Sequence, residues 1–310
     1  MILTITLNPA VDISYKLDNF ILDTVNRVGD VSKTAGGKGL NVARVLHQLN
    51  EDVAASGFLG GSLGDFIRSQ MELIGIEDYF VQIGGETRNC IAVIHEGKQT
   101  EILESGPIIS QEELLAFLEK FTGDVQQVDI VTLSGSLPKG LSTDFYSKII
   151  EIANRHNARV LLDSNGALLK ATLTSGHKPY FIKPNEQELG DLVNRKMMSD
   201  TDIIKALESS LFEDIPWVVV TLGADGAIVK HADTFYRAKA PKIEAVNPVG
   251  SGDSVVAGFA AGFARGLKDE DLIKFGLSMG VLNAMEEKTG RIDVAKVQWA
   301  VDQIQVEKMK

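Results

Sequence analysis

A chain of 310 residues with a formal charge of -11 and a sequence pI near 5.0 is long enough for one large α/β domain or two smaller ones. Its acidity counts against a protein that coats nucleic acid or an anionic membrane, so any cations that bind an anion must be local. The single cysteine, Cys90, excludes an internal disulfide and a cysteine-built zinc site, which suits a reducing cytoplasm.

The start, Met1-Ile2-Leu3-Thr4-Ile5-Thr6-Leu7, alternates like a strand, has no basic leader and reaches Asn8-Pro9 too soon for a signal peptide. No apolar run is long enough to span a bilayer. Asp12 lies where a first strand would end. A carboxylate there, in a parallel α/β fold, faces the ligand crevice and can accept from two sugar hydroxyls; a solvated loop aspartate is the plain alternative. Residues 12–34 are polar and strand-like without a helix. Ala35-Gly36-Gly37-Lys38-Gly39-Leu40-Asn41 then leads into a helical pattern over 39–49. Its glycines permit close approach of a ligand to the backbone, Lys38 brings a cation, and Asn41 brings both donors and acceptors. The absence of Gly-Lys-Ser/Thr disfavours a P-loop NTPase.

Apolar runs at 53–59, 128–133, 160–162, 180–182 and 217–222 alternate with helical patterns at 111–121, 143–157 and 186–193. That rhythm predicts a largely parallel sheet covered by helices. It breaks at 89–104, which reads as a hairpin of Ile91-Ala92-Val93-Ile94 and Thr100-Glu101-Ile102-Leu103 joined through Glu96-Gly97-Lys98. With 12–34 it predicts a small sheet outside the main one, either a lid or an oligomer contact. Arg88, beside the hairpin, has a fork of donors suited to phosphate, or is simply solvated.

Ser134-Gly135-Ser136 follows a strand and should reach the crevice. Lys183-Pro184-Asn185-Glu186-Gln187-Glu188 follows another; Asn185 and Glu188 share a helix face, where they can serve Mg2+ directly or through its waters, or merely form a capping box. Thr221, Gly223 and Gly226 mark either a nucleotide-pocket wall or a tight turn. The five histidines show no metal-ligand spacing.

The most informative stretch is Asn247-Pro248-Val249-Gly250-Ser251-Gly252-Asp253-Ser254, a glycine-rich turn that ends in a carboxylate and opens an apolar segment. It predicts the start of the first of two consecutive helices over 253–287. The Ala- and Gly-rich 255–264 suits a helix pressed closely on a sheet. Free amides at Gly250, Ser251, Gly252 and Asp253, with the helix dipole, make an anion site. Asp253 is then either a capping carboxylate or a base that takes a proton from a hydroxyl attacking a phosphoryl group held at the same turn.

Gly36-Gly37-Lys38-Gly39 with Asn41, and Asn247-Pro248-Val249-Gly250-Ser251-Gly252-Asp253 far downstream, resemble in order and separation the two signatures of the ribokinase-like PfkB carbohydrate kinase family. Asn8-Pro9-Ala10-Val11-Asp12, Thr87-Arg88, Ser134-Gly135-Ser136-Leu137-Pro138 and Lys183-Pro184-Asn185-Glu186-Gln187-Glu188 extend the likeness nearly end to end. The resemblance is to the branch acting on hexose phosphates. It implies one kinase domain over 1–310, a three-layer α/β/α sandwich with a small β-sheet lid at about 12–34 and 88–104, which in relatives often pairs with a second subunit as a homodimer.

Carried over, the resemblance makes Asp253 the catalytic base and the Gly250-Ser251-Gly252 turn the anion hole for the transferred group. Asp12, Gly37, Lys38 and Asn41 would hold the sugar, with Arg88, Arg27 and Ser136 near its existing phosphate. Lys183, Asn185, Glu188, Thr221, Gly223 and Gly226 would serve ATP and Mg2+, with Asp163 a further metal candidate and Asn283 bordering the adenine. The substrate implied is a small sugar phosphate, with no nucleic acid or membrane partner. A kinase whose sugar carries its first phosphate at the other end, and a catalytically silent sugar-phosphate binder on the same fold, remain as alternatives. A dinucleotide-dependent oxidoreductase is disfavoured by the lack of G-x-G-x-x-G after the first strand. Many relatives carry Asp-Thr before the glycine turn where this chain has Asn247-Pro248, which counts against monovalent-cation activation.

Overall fold

Alternation of apolar side chains along the strands gives one large sheet two hydrophobic faces, and helices cover both. The computed structural model describes residues 1–309. In chain order it begins with β1 (Ile2–Thr6), β2 (Ala10–Leu17), β3 (Asp30–Gly36), α1 (Lys38–Gln48), β4 (Val53–Leu59), α2 (Gly61–Leu73), β5 (Glu77–Asp78), β6 (Val81–Gln82), β7 (Arg88–His95) and β8 (Lys98–Leu103). The middle holds α3 (Gln111–Asp124), β9 (Ile130–Ser134), α4 (Phe145–Arg155), β10 (Arg159–Asp163), α5 (Gly166–Leu173), β11 (Phe181–Ile182), α6 (Glu186–Leu192) and α7 (Asp200–Leu207). It closes with β12 (Trp217–Thr221), β13 (Ala227–His231), β14 (Thr234–Lys239), α8 (Ser251–Ala264), α9 (Asp269–Ala284), α10 (Val297–Gln303) and β15 (Gln305–Lys308).

The main sheet runs β15-β14-β13-β12-β11-β10-β9-β1-β4-β5, with β6 also on β4. From β12 to β4 every pairing is parallel, and β13, β14 and β15 add an antiparallel flank. Ile2, Ile130, Leu161, Phe181, Trp217 and Val219 face α1, α8 and α9, whereas Leu3, Ile5, Val131, Leu162, Ile182 and Val218 face α3 to α7. This is the ribokinase-like α/β arrangement expected.

A separate four-stranded sheet, β3-β2-β7-β8, forms the lid. The hairpin at 89–104 is β7 and β8, and the polar stretch at 12–34 is β2 and β3 with the loop between. One expectation is corrected: Asp12 does not end a core strand. It sits inside β2, opposite Thr34 and Cys90, so its carboxylate belongs to the lid.

Helix α2 carries no start signal in its own sequence, because its amide Leu63 N and the Ser62 hydroxyl are capped by Glu86, far along the chain. The glycines of α8 also do something other than expected. Phe259 and Phe263 face the sheet at Phe181 and Trp217, while Gly258 and Gly262 press against α9. A Cβ at Gly258 would lie 2.8 Å from Gly276 O and 2.7 Å from Met279 Cγ.

Gly258→Ala therefore sets two effects against each other. Helix propensity would favour alanine by about 1 kcal/mol, but overpacking a tight core costs about 1–3 kcal/mol, and here the obstruction includes backbone. The substitution should lower the thermal midpoint in a melting experiment; an unchanged or raised midpoint would show that α8 and α9 separate freely.

Candidate active site

Strand ends and helix starts converge on a cleft of about 1540 Å³ between the main sheet and the lid. Its wall takes in Asn8 after β1, Asp12 of β2, Gly37, Lys38, Asn41 and Arg44 of α1, Ser136 after β9, Asp163 of β10, Lys183, Asn185 and Glu188 after β11, Thr221 of β12, and Gly250, Gly252 and Asp253 at α8. This is the carboxyl edge of a parallel sheet, where open α/β folds bind ligands.

At Gly37 the chain adopts φ 119°, and a Cβ would meet Thr6 Cγ2 at 2.8 Å, so only glycine lets α1 start this close to β1. Gly250 (φ 83°) does the same for α8. Ser251 N is taken up by Pro248 O, which corrects the expectation of four free amides. Those of Gly250, Gly252 and Asp253 donate to no described protein atom. Gly252 faces the Lys183 ammonium, 3.1 Å from where its Cβ would be. The turn thus offers three amides, a helix dipole and an adjacent cation to an anion.

Asp253 is 6% exposed and accepts a hydrogen bond from Asn41 Nδ2 at 2.7 Å. Burial, reinforced by the nearby Asp163 carboxylate and opposed by Asn41, Lys38 and Lys183, pushes its pKa up to about 6. A carboxyl so placed is ionised at neutral pH yet basic enough to take a proton. Asp163 has the opposite fate. Burial works against its charge, but Lys183 Nζ on Oδ1 and Lys38 Nζ on Oδ2, each at 3.3 Å, outweigh burial and hold its pKa below the ordinary carboxylate value. Lys38 is correspondingly raised, chiefly by Asp163. In the lid, burial lifts Asp12 to about 6, against the pull of Arg44 and Arg88.

Several expected residues take other roles. Asn185 and Glu188 form the capping box of α6: Asn185 Oδ1 accepts from Glu188 N and Glu188 Oε2 from Asn185 N, both at 2.8 Å. Each Asp163 oxygen carries one lysine, which leaves one acceptor position on each for another partner on the cleft wall. Glu188 Oε1 is outside the cap, and with the remaining acceptor positions of Asn185 and Asp163 it would suit Mg2+, directly or through water. Among the described residues no group of three or more His, Cys, Asp or Glu side chains forms a metal cage.

Asn283 is wholly buried and off the cleft wall. It donates to Val249 O and accepts from Gly290 N, both at 2.9 Å, so it braces the glycine turn from behind. Gly226 packs under Ala238 O, where a Cβ would lie 2.1 Å away, and is a structural turn residue; Gly223 is also off the wall. Arg27 is exposed in the β2–β3 loop and does not reach the cleft. Arg88 lines the wall, but its guanidinium donates to Asn8 O and Glu104 O, fastening the lid to the end of β1. Ser136 accepts from Asn8 Nδ2 at 3.3 Å.

The sequence reading missed Arg44, whose signal was its i,i+3 spacing from Asn41 on α1. Without a sequence signal are the hydroxyls of Thr6 and Ser164, buried on the cleft wall without a protein partner and open to polar groups of a ligand; the Ser134 hydroxyl, expected at the crevice, lies there in the same state.

The profile of the pfkB family carbohydrate kinases matches residues 2–294. A tagatose-6-phosphate kinase of Staphylococcus epidermidis is 52% identical over 307 residues, covering 99% of both chains. Among solved structures, phosphofructokinase-2 of Escherichia coli in complex with potassium superposes with a TM-score of 0.89 at 26% identity, over 97% of this chain and 98% of that one. The same enzyme in complex with fructose-6-phosphate gives 0.87 at 25%, with the same coverage. A buried carboxylate at a helix start, a glycine turn with free amides and a four-stranded lid thus sit in a chain that matches one family almost from end to end, and the protein belongs to the pfkB family of carbohydrate kinases.

Proposed function

We propose that the protein transfers the γ-phosphoryl group of ATP to D-tagatose 6-phosphate, giving D-tagatose 1,6-bisphosphate and ADP, a step of lactose and galactose catabolism. The observation that carries the reading is the 52% identity over the full length of a tagatose-6-phosphate kinase, joined to a buried base beside an anion-binding turn. Phosphoryl transfer needs in-line placement, charge neutralisation and an acceptor for the hydroxyl proton. Asp253 takes the proton of the sugar C1 hydroxyl as its oxygen bonds to the γ-phosphorus and the bond to ADP breaks. The amides of Gly250, Gly252 and Asp253 face the phosphoryl oxygens, and Lys183 stands beside them. Mg2+, held through Glu188 and water, supplies further neutralisation when bound with ATP.

Asp12, in the lid, contacts sugar hydroxyls, so closure of the lid both orients the sugar and keeps water from the phosphoryl group. Lys38, Asn41 and Ser136 line the sugar end, and Arg88 lies by its existing phosphate. Thr221 and Lys183 serve the nucleotide. The whole chain acts as one kinase domain in the cytoplasm, where its lone cysteine is reduced. Exposed Phe20, Ile21, Leu22, Val25, Val31, Ile102 and Leu103 on the lid segments support a homodimer paired through the lid.

Two measurements test this reading. ADP release should be fastest, as kcat/KM, with tagatose 6-phosphate and weaker with fructose 6-phosphate; the two differ in one hydroxyl's configuration, so preference and not exclusion is expected. A maximum with fructose 1-phosphate would replace the assignment by 1-phosphofructokinase, and no release with any sugar phosphate would make the protein a silent binder. Asp253→Asn should lower kcat by about a hundredfold to ten-thousandfold while ATP affinity stays within a few-fold. A mutant with near wild-type kcat would remove Asp253 as the base.

A further inference from the structure

Behind the base lies an arginine that no part of the mechanism above uses. Arg44, half-buried on the cleft wall, lies between α1, the lid root and the loop that follows α9. Its Nη2 donates to Asn41 Oδ1 in a short hydrogen bond, its Nη1 donates to Ala35 O at 2.6 Å, and Gly290 leaves room for its Nε, 3.1 Å from where a Cβ there would lie. Burial lowers its pKa, and the carboxylates of Asp12 and Asp253 counter that.

The geometry decides which way the Asn41 amide points. A guanidinium can only donate, so Asn41 must turn its oxygen to Arg44 and its NH2 to Asp253. A carboxylate that accepts from an NH2 group is favoured in its ionised form. Were the amide reversed, its oxygen would face Asp253 and favour the protonated acid, which cannot serve as a base. We propose that Arg44 is a positioning residue, fixing the Asn41 amide so that it holds the Asp253 carboxylate as a proton acceptor. Because its second donor sits on Ala35 O, in the strand that leads from the lid into α1, the same guanidinium ties the orientation of the base to the seat of the lid.

The charges facing Asp253 come from every side: Lys38 from α1, Asp163 from β10 and Lys183 from the segment after β11, with Arg44 beyond Asn41. None of the first three contacts Asn41 in a way that selects its orientation; among the described hydrogen bonds only Arg44 engages its oxygen. Arg44 also acts on Asp12, so the test must read Asp253 itself.

The proposal rests on Asp253 being the base of a sugar-phosphate kinase, and its test separates the two ideas. Carboxyl carbon NMR titration of Asp253, assigned by its loss in D253N, should move upward by about one pH unit in R44M and by less in R44K, which keeps a charge and one donor but not the fork. The acid limb of kcat/KM should move with it, so that the ratio of activity at pH 6 to the plateau near pH 8 falls about fivefold below the wild-type ratio. A folded R44M with the wild-type Asp253 titration overturns the proposal. If R44M does not fold, a folded R44K with a wild-type titration overturns it equally. Absence of ADP release by the wild type would instead defeat the functional reading and leave the titration to decide on Arg44.

Discussion

Two carboxylates buried side by side dictate the rest of the site. Asp163 and Asp253 are 2% and 6% exposed, and removing an ion from water costs several kcal/mol even in a relaxed protein. Two ammonium groups, Lys38 and Lys183, balance the two charges in number but not in placement. Both lysines bond to Asp163, while Asp253 receives only an amide and a more distant share of their field. The asymmetry separates their roles. Asp163 is locked as an anion that positions the cations, and Asp253 is left with enough affinity for a proton to act on one. Pairs of acids driven apart in this way are how one site keeps a fixed charge beside a working base.

The second constraint is close approach. Asp253 lies at the start of α8 and its hydrogen-bond partner Asn41 on the first turn of α1, so both helices must begin at the edge of the sheet. Gly37 and Gly250, in conformations that disfavour a side chain, permit this, and Asn283 and Gln48 secure the loop around Gly290 from behind. The lid joins the same assembly through covalent continuity of β3 with α1 and through Arg88 on the carbonyls of Asn8 and Glu104. The lid and the glycine turn of α8 therefore share one scaffold.

Much of this was legible in the sequence because it is local. The five apolar strands, the lid hairpin, both glycine turns and Asp253 at a helix start all follow from patterns within a dozen residues. What was not legible depends on distant partners. Helix α2 has its cap at Glu86, Asn283 is diverted to a loop brace, and Gly258 packs on α9 and not on the sheet. Asn185 and Glu188 carried two readings, and the capping geometry is realised because the spacing that places oxygens on one helix face is also that of a reciprocal cap. Arg44 left only its i,i+3 spacing from Asn41 as a trace, and nothing in a lone arginine on a helix discloses what its guanidinium will meet.

In the proposed kinase Asp253 is a buried proton acceptor. The most direct measurement is the pH dependence of kcat/KM for phosphorylation of tagatose 6-phosphate, in the wild type and in Asp12→Asn, since Asp12 titrates in the same range. A base must be ionised to work, so activity present at neutral pH should be lost as pH falls through about 6, and that limb should persist in Asp12→Asn. Activity that stays level from about pH 8 down to about pH 5, or a limb that vanishes with Asp12, would contradict it, because a working base must lose its activity on protonation.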